Sequence, residues 1–367
     1  MDFQFSEDQR AFADMAQGLF ADFCSDEQLR SHDLSGAPFM EDLWQQCVAA
    51  GLHTMILPEA DGGLGLGMTE LLAVLEQQGR ALALVPLWEQ QVAAAALARF
   101  AADASADVLA QALVGQTLAL SLAALSTARG AALQLQDGKL QGLAPAVALA
   151  GQASFALLAA EVAGRARLAL VDLRQPAVRL DAGLSQHHLG LADVVCDGAT
   201  VLVLLPEEAT PWVEQRAMAA LASLQLGVTQ QQLRRTVEYV SERKQFDRPI
   251  GSFQLVAGQM ADGYIALEAL RSALSQLVYR LDAGLGCVPQ ALATRTLAND
   301  TGHRVGHMAQ HVHGGIGVDL TYPMHRFLYW SRALGSTLGG TEQQLERLGN
   351  WLADNDTLGW KYDLADN

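Results

Sequence analysis

Lysine is almost missing. Three occur in 367 residues, and 24 basic side chains face 40 acidic ones, for a formal charge of −16. A surface this acidic repels phosphate backbones and anionic headgroups, which excludes nucleic acid and membrane surfaces as natural partners. Cysteine is scarce too. Cys24, Cys47, Cys196 and Cys287 lie far apart with no C-x-x-C pair, which excludes a small disulfide-stapled scaffold and predicts reduced thiols. Long apolar runs are also lacking: the richest tract, Leu140 to Gly164, is broken by Pro145, Gln152 and many small residues, which argues against a membrane span. The opening MDFQFSEDQR has no basic-apolar-small order, so export is not expected and a cytoplasmic location is.

What remains is 50% apolar, over a length that suits two or three packed units. Ser6 with Gln9 and Ser25 with Gln28 form S-x-x-Q patterns that predict capped helix starts. After the glycine-rich loop PEADGGLGLG, the runs TELLAVLEQQGRALAL and Val92 to Ala104 have helix-forming composition. A helical domain over residues 1–112 follows. From about Gln116 the texture changes to short apolar runs, LALSLAAL, ARLALVDL and TVLVLL, which predict a β domain over 113–207. Past Pro206, Leu221, Leu224, Val228, Leu233, Val237 and Val240 recur at helical spacing. A second series runs from Val256, Met260 and Tyr264 through Leu267, Leu270, Leu274 and Leu277 to Leu281. These predict a four-helix bundle over 208–367 and an α+β, mainly α, fold class.

Two stretches carry chemistry. SERKQFDRPIGSFQ gathers Arg243, Phe246 and Arg248 at a proline break. A guanidinium beside an aromatic ring suits a phosphate carried by a flat heterocycle, although the same residues also make a polar interhelical turn. In QHVHGGIGVDLTYPMHR, Gly314, Gly315 and Gly317 can leave backbone amides open to cradle pyrophosphate, or simply link two helices. His303, His307 and His311 share a helical face, but no carboxylate or thiolate joins them and no metal is expected.

In this order, and with DFQFSEDQRAFAD and LWQQCVAAGLHTMILPEADGGLGLG, these stretches resemble the acyl-CoA dehydrogenase family of flavoproteins over nearly the whole chain. The resemblance implies a helical domain, a β-barrel-like domain and a helical bundle. It also implies FAD as cofactor and α,β-dehydrogenation of an acyl-CoA substrate. In that family the last domain contacts the adenine and pyrophosphate of the neighbouring subunit's FAD. Carried over, the set is Arg243, Phe246, Gln254, His311 and the Gly314–Gly315 loop. His311 stands where glutamine is common, and Asp247 where glycine is usual.

Other family features are missing. The T-E-P-x-A-G-S-D type segment and the Trp-Ile-Thr or Trp-Ile-Ser that hold the flavin ring are replaced by SLAALSTARGAAL and LAPAVALAG, with Ser126 and Thr127 as the remnants. The reaction needs a base at the acyl α carbon. Aligning Gly340–Thr341 with the family's Gly-Thr pair puts Gly339 at the base's seat; counting from Tyr322–Pro323 puts Leu338 there. The alternative seat is Ala217. None can accept a proton, and Glu342 and Glu214 are the nearest carboxylates.

Groups lent to a neighbour look retained and groups serving the chain's own chemistry look lost. The resemblance therefore implies a base-lacking subunit, similar to those of heteromeric acyl-CoA dehydrogenases of steroid side-chain breakdown, which the MHR segment also resembles. Its partners are then a homologous, base-bearing subunit and an electron-transfer acceptor. The rival expectations are a self-sufficient homo-oligomer using Glu342 or Glu214, and a flavin-free structural homologue.

Overall fold

A computed structural model of the chain describes residues 6–125 and 133–355. The chain packs as two compact units. One takes the described residues of Met1–Gln28, Leu72–Ala83 and Met218–Asn367, the other Leu29–Leu71 and Leu84–Ala217.

Six helices come first: α1 (Glu7–Phe23), α2 (Asp26–Ser35), α3 (Glu41–Ala49), α4 (Met68–Ala81), α5 (Leu87–Ala101) and α6 (Ala106–Leu113). Both S-x-x-Q patterns cap as read. Gln9 N–H donates to Ser6 Oγ at 3.2 Å and Ser6 N–H to Gln9 Oε1 at 3.0 Å; Ser25 and Gln28 repeat the exchange at 3.3 and 2.9 Å. In the second unit, α5 buries two glutamines that serve backbone groups outside the helix. Gln90 Oε1 accepts from Leu118 N–H at 2.7 Å and its Nε2 donates to Gln116 O at 3.1 Å. Gln91 Nε2 donates to Leu52 O at 2.9 Å.

The strands follow: β1 (Leu118–Ser121), β2 (Leu133–Gln136), β3 (Lys139–Ala148), β4 (Phe155–Val162), β5 (Arg165–Asp172), β6 (Val178–Leu184) and β7 (Gly190–Leu204). β4 pairs in parallel with β1 and β2 along one edge and antiparallel with β5 along the other. Antiparallel pairs β2–β3, β3–β7 and β7–β5 complete the circuit, so the sheet closes as a barrel, with β6 added on β7. Closure removes exposed edges. Its interior is unusually small-residued: Ala156, Ala169, Ala192 and Ala199 pack with Leu140, Leu158 and Val194.

The bundle comprises α7 (Ala209–Glu242), α8 (Gln254–Asp282), α9 (Val288–His313), α10 (Met324–Ser336) and α11 (Thr341–Asp354). A short hairpin, β8 (Lys244–Gln245) and β9 (Arg248–Pro249), lies between α7 and α8. α9 is central, contacting α8, α10 and α11. Leu267, Leu270, Leu274, Leu277 and Leu281 of α8 are buried, but Tyr264 of the same series is 59% exposed, as is Val237 of α7 at 41%. α4 and α7 cross closely: a Cβ on Gly227 would lie 2.0 Å from Glu76 O, and one on Gly79 2.1 Å from Leu224 O. Only glycine permits that approach.

Candidate functional site

Where α7 ends, the chain makes a two-residue hairpin turn at Phe246–Asp247. Lys244 pairs with Pro249 and Gln245 with Arg248. Both turn residues are left-handed, φ +54° and +60°, the combination a type I′ turn demands and for which glycine and asparagine are suited. The strain presents Phe246 outward, 87% exposed. Arg248 stacks over the Phe253 ring at 4.0 Å, and Phe246 meets the same ring edge-on at 6.2 Å.

Beside this hairpin lies an open pocket of about 880 Å³, lined among others by Tyr239, Arg243, Phe246, Phe253, Gln254 and His311. Four residues singled out in the sequence are therefore gathered at one place: Arg243 just after α7, Phe246 on the turn, Gln254 opening α8 and His311 near the end of α9. Gly314 and Gly315 follow directly on α9, with nothing within 4 Å of a Cβ built on either. One expectation is corrected here. The Gly314 N–H is not open, because it donates to the Gln310 and His311 carbonyls and caps α9.

Sequence reasoning missed several lining residues, Tyr239, Phe253 and Asp262 among them. Tyr239 was readable as the position one helical turn before Arg243. Its ring stacks on His313 at 4.2 Å. His313 Nδ1 lies 2.8 Å from Ala309 O, and burial lowers its pKa. The histidine series splits: His303 and His307 touch with ring centroids 4.4 Å apart, while His311 belongs to the pocket. Among the described residues no group of three metal-type side chains assembles.

Around the positions matched to the base, Leu338 is 8% exposed with φ +61°. Gly339 has φ +86°, and a Cβ there would fall 2.0 Å from Gln343 Oε1. Ala217 is fully buried. Glu342 is exposed in the first turn of α11, and Glu214 is half-buried on α7. Ser126 and Thr127 lie outside the described residues. The LAPAVALAG stretch ends β3, with Leu149 and Ala150 buried.

Signatures of two acyl-CoA dehydrogenase domains match the chain, the N-terminal domain over residues 6–117 and the C-terminal domain over residues 214–353. Acyl-CoA dehydrogenase FadE27 of Mycobacterium tuberculosis is 34% identical over 379 residues, covering 96% of this chain and 99% of that one. The chain belongs to the acyl-CoA dehydrogenase family. FadE28 of the same organism is 28% identical, covering 95% and 98%. Among solved structures, the ChsE4-ChsE5 complex from Mycobacterium tuberculosis superposes with a TM-score of 0.90 at 31% identity, covering 97% and 100%. A variant of the Tcur3481-Tcur3483 steroid ACAD gives 0.89 at 34% identity, covering 95% and 98%.

FAD, the family cofactor, can be tested against the pocket's chemistry. Aromatic faces from Tyr239, Phe246 and Phe253, one guanidinium from Arg243 and one carboxamide from Gln254 suit a flat heterocycle carrying phosphate. The donor set fits the adenine and phosphate end of the dinucleotide. Asp262 in the lining opposes phosphate, which leaves Arg243 as the side that phosphate would take.

Proposed function

We propose that this chain is the base-lacking subunit of a heteromeric, FAD-dependent acyl-CoA dehydrogenase. A homologous partner supplies the carboxylate that removes the acyl α proton. The observation that carries this reading is the shape of the two seats. Leu338 is buried and apolar, Gly339 has Gln343 standing where a side chain would go, and Ala217 ends in a methyl group. A base must reach its proton within hydrogen-bonding distance, and a displacement of an ångström already costs rate heavily. Glu342 is exposed in the first turn of α11, three residues beyond Gly339.

FAD, when bound, supplies the acceptor for the hydride leaving the β carbon. This chain's part is to hold. Arg243 pairs with phosphate, Phe246 and Tyr239 offer ring faces, Gln254 and His311 offer hydrogen bonds, and the Gly314–Gly315 loop lets a phosphate approach without side-chain obstruction. The strained outward presentation of Phe246 supports delivery to a partner's cofactor, since left-handed backbone at a bulky residue persists where function holds it. The paired names of the two similar complexes, one called a steroid ACAD, support a homologous partner and a bulky acyl-CoA thioester. The electrons then pass to a separate acceptor protein, in the cytoplasm.

The test is purification alone and together with a base-bearing homologue. Alone, the chain is expected to lack thioester-dependent flavin bleaching; the pair is expected to be yellow and to bleach. A yellow, active isolated chain would replace this reading with the relocated base, Glu342 or Glu214. A complex without flavin would favour a structural homologue.

A further inference from the structure

The buried face of α7 is not apolar throughout. Gln225, Thr229, Gln232 and Thr236 recur at intervals of four, three and four residues, one helical face, and none exceeds 1% exposure. Part of this stripe is satisfied within the protein. Gln225 Nε2 donates to Thr229 Oγ1 at 2.9 Å and to Ser331 Oγ at 3.0 Å, and Thr236 Oγ1 donates to Gln232 O at 2.7 Å. Among the described residues, Gln225 Oε1 and both amide atoms of Gln232 find no hydrogen-bond partner.

α9 faces this stripe. Gly302 makes room for the Gln225 amide, which lies 2.5 Å from a Cβ built there. Further along, Tyr239 stacks on His313, so the two helices run side by side in the same direction. α9 repeats the pattern at both ends. Arg295 is wholly enclosed; its Nη2 donates to Leu334 O and, at 2.6 Å, to Thr337 O, while Nε and Nη1 have no partner among the described residues. Among those residues Asn299 Oδ1 and His313 Nε2 have none either. Among the described residues no acidic side chain pairs with Arg295, and burial lowers its pKa to about 9.

Native cores keep very few polar atoms unpaired, and here Gln225 and Gln232 of α7, with Arg295, Asn299 and His313 on the face of α9 that carries Gly302, leave theirs along one seam. Donors from Arg295 and Gln232 share it with acceptors from Gln225, Gln232 and Asn299. An anion would meet only the donors and a cation only the acceptors; water does both. We infer that a file of internal waters runs between α7 and α9, from Arg295 beneath the α10 C-terminus, past Gln232, to His313 beside the pocket. From Gln225 to Tyr239 alone the seam extends about 21 Å at the helical rise. The waters hydrogen-bond the Gln232 carboxamide and the free edge of Arg295, and they make one continuous polar path through the bundle.

The sign of one substitution decides it. In a hydrated seam, Gln232→Leu takes two hydrogen-bonding atoms away from bound water and lowers the Tm of the full chain by several degrees. In a dry seam it removes two stranded polar atoms and raises Tm. A crystal structure of the unmodified chain at high resolution should show water within hydrogen-bonding distance of Gln232 Oε1 and Arg295 Nη1. That second readout does not depend on any variant folding. A dry seam in the electron density, or a higher Tm for Gln232→Leu, overturns the inference.

Discussion

Gln343 Oε1 stands 2.0 Å from where a Cβ on Gly339 would lie, on a backbone already left-handed at φ +86°. Steric room and backbone conformation both select glycine there. Gly339→Glu is therefore expected to leave the isolated chain without thioester-dependent flavin reduction and to cost about 1–3 kcal/mol of stability. Adding Gln343→Ala opens the direction of the side chain but not the backbone angle, so thermal unfolding should recover only part of the loss. Robust activity from Gly339→Glu alone would mean that the turn relaxes and that the seat is recoverable.

The turn at Phe246–Asp247 separates strain from recognition. Asp247→Gly relieves a left-handed non-glycine residue and is expected to raise stability by about 1 kcal/mol. It also removes a negative charge next to Phe246 and four residues from Arg243 in the chain, so FAD retention by the complex should tighten. Phe246→Ala keeps the backbone angle and deletes a ring that is 87% exposed. Its Tm should barely move while FAD is lost more readily. Thermal melts and flavin content after gel filtration read the two effects independently.

Much of this fold was legible because its signals are local. The reciprocal caps at Ser6–Gln9 and Ser25–Gln28, and the leucines of α8, follow from spacing alone. Spacing failed where burial is set by distant chain. Tyr264 and Val237 sit in apolar series yet face outward, whereas Gln225, Thr229, Gln232 and Thr236 are as buried as any leucine. Nothing local marks β4 as the strand that closes the barrel, since its partners β1 and β2 precede it while β5 follows. At the candidate site, Arg243, Phe246, Gln254 and His311 were found from motifs. The left-handed angles at Phe246 and Asp247 were not, because neither residue type advertises them.

Two titratable groups of the second unit, the buried Glu89 and the half-buried His187, shape stability with pH. Burial raises Glu89 to about 8, partly opposed by its own N–H and the Trp88 side chain; burial and nearby His188 lower His187 to about 4. Folding keeps both neutral. Glu89 thus favours folding below pH 4.5, its ordinary value, and withdraws that support progressively up to about 8. His187 withdraws support as pH falls from 6.5 to about 4. Between 4.5 and 6.5 the two slopes oppose each other; above 6.5 Glu89 acts alone. Glu89→Gln should therefore gain on the unmodified chain by about 2 kcal/mol between pH 6.5 and 8. Urea unfolding at the two pH values measures it, and an unchanged difference between the proteins would place the Glu89 titration elsewhere.

Gln90 offers the opposite case to Gln232, because its carboxamide is fully used. It is 0% exposed, accepts from Leu118 N–H at 2.7 Å and donates to Gln116 O at 3.1 Å, holding the first residue of β1 against α5. Gln90→Leu preserves volume but strands a buried donor and a buried acceptor. Each costs about 1–3 kcal/mol when left unpaired, so a loss of about 2–5 kcal/mol is expected. Gln90→Glu keeps an acceptor for Leu118 but, once ionised, has no proton to give Gln116, and burial of the charge adds to the cost. Its stability should therefore recover as pH is lowered toward the carboxyl's raised pKa, while that of Gln90→Leu should not. Parallel pH-dependent melts of the two variants distinguish a hydrogen-bonding role for Gln90 from one of simple space-filling, for which Gln90→Leu would melt like the unmodified chain.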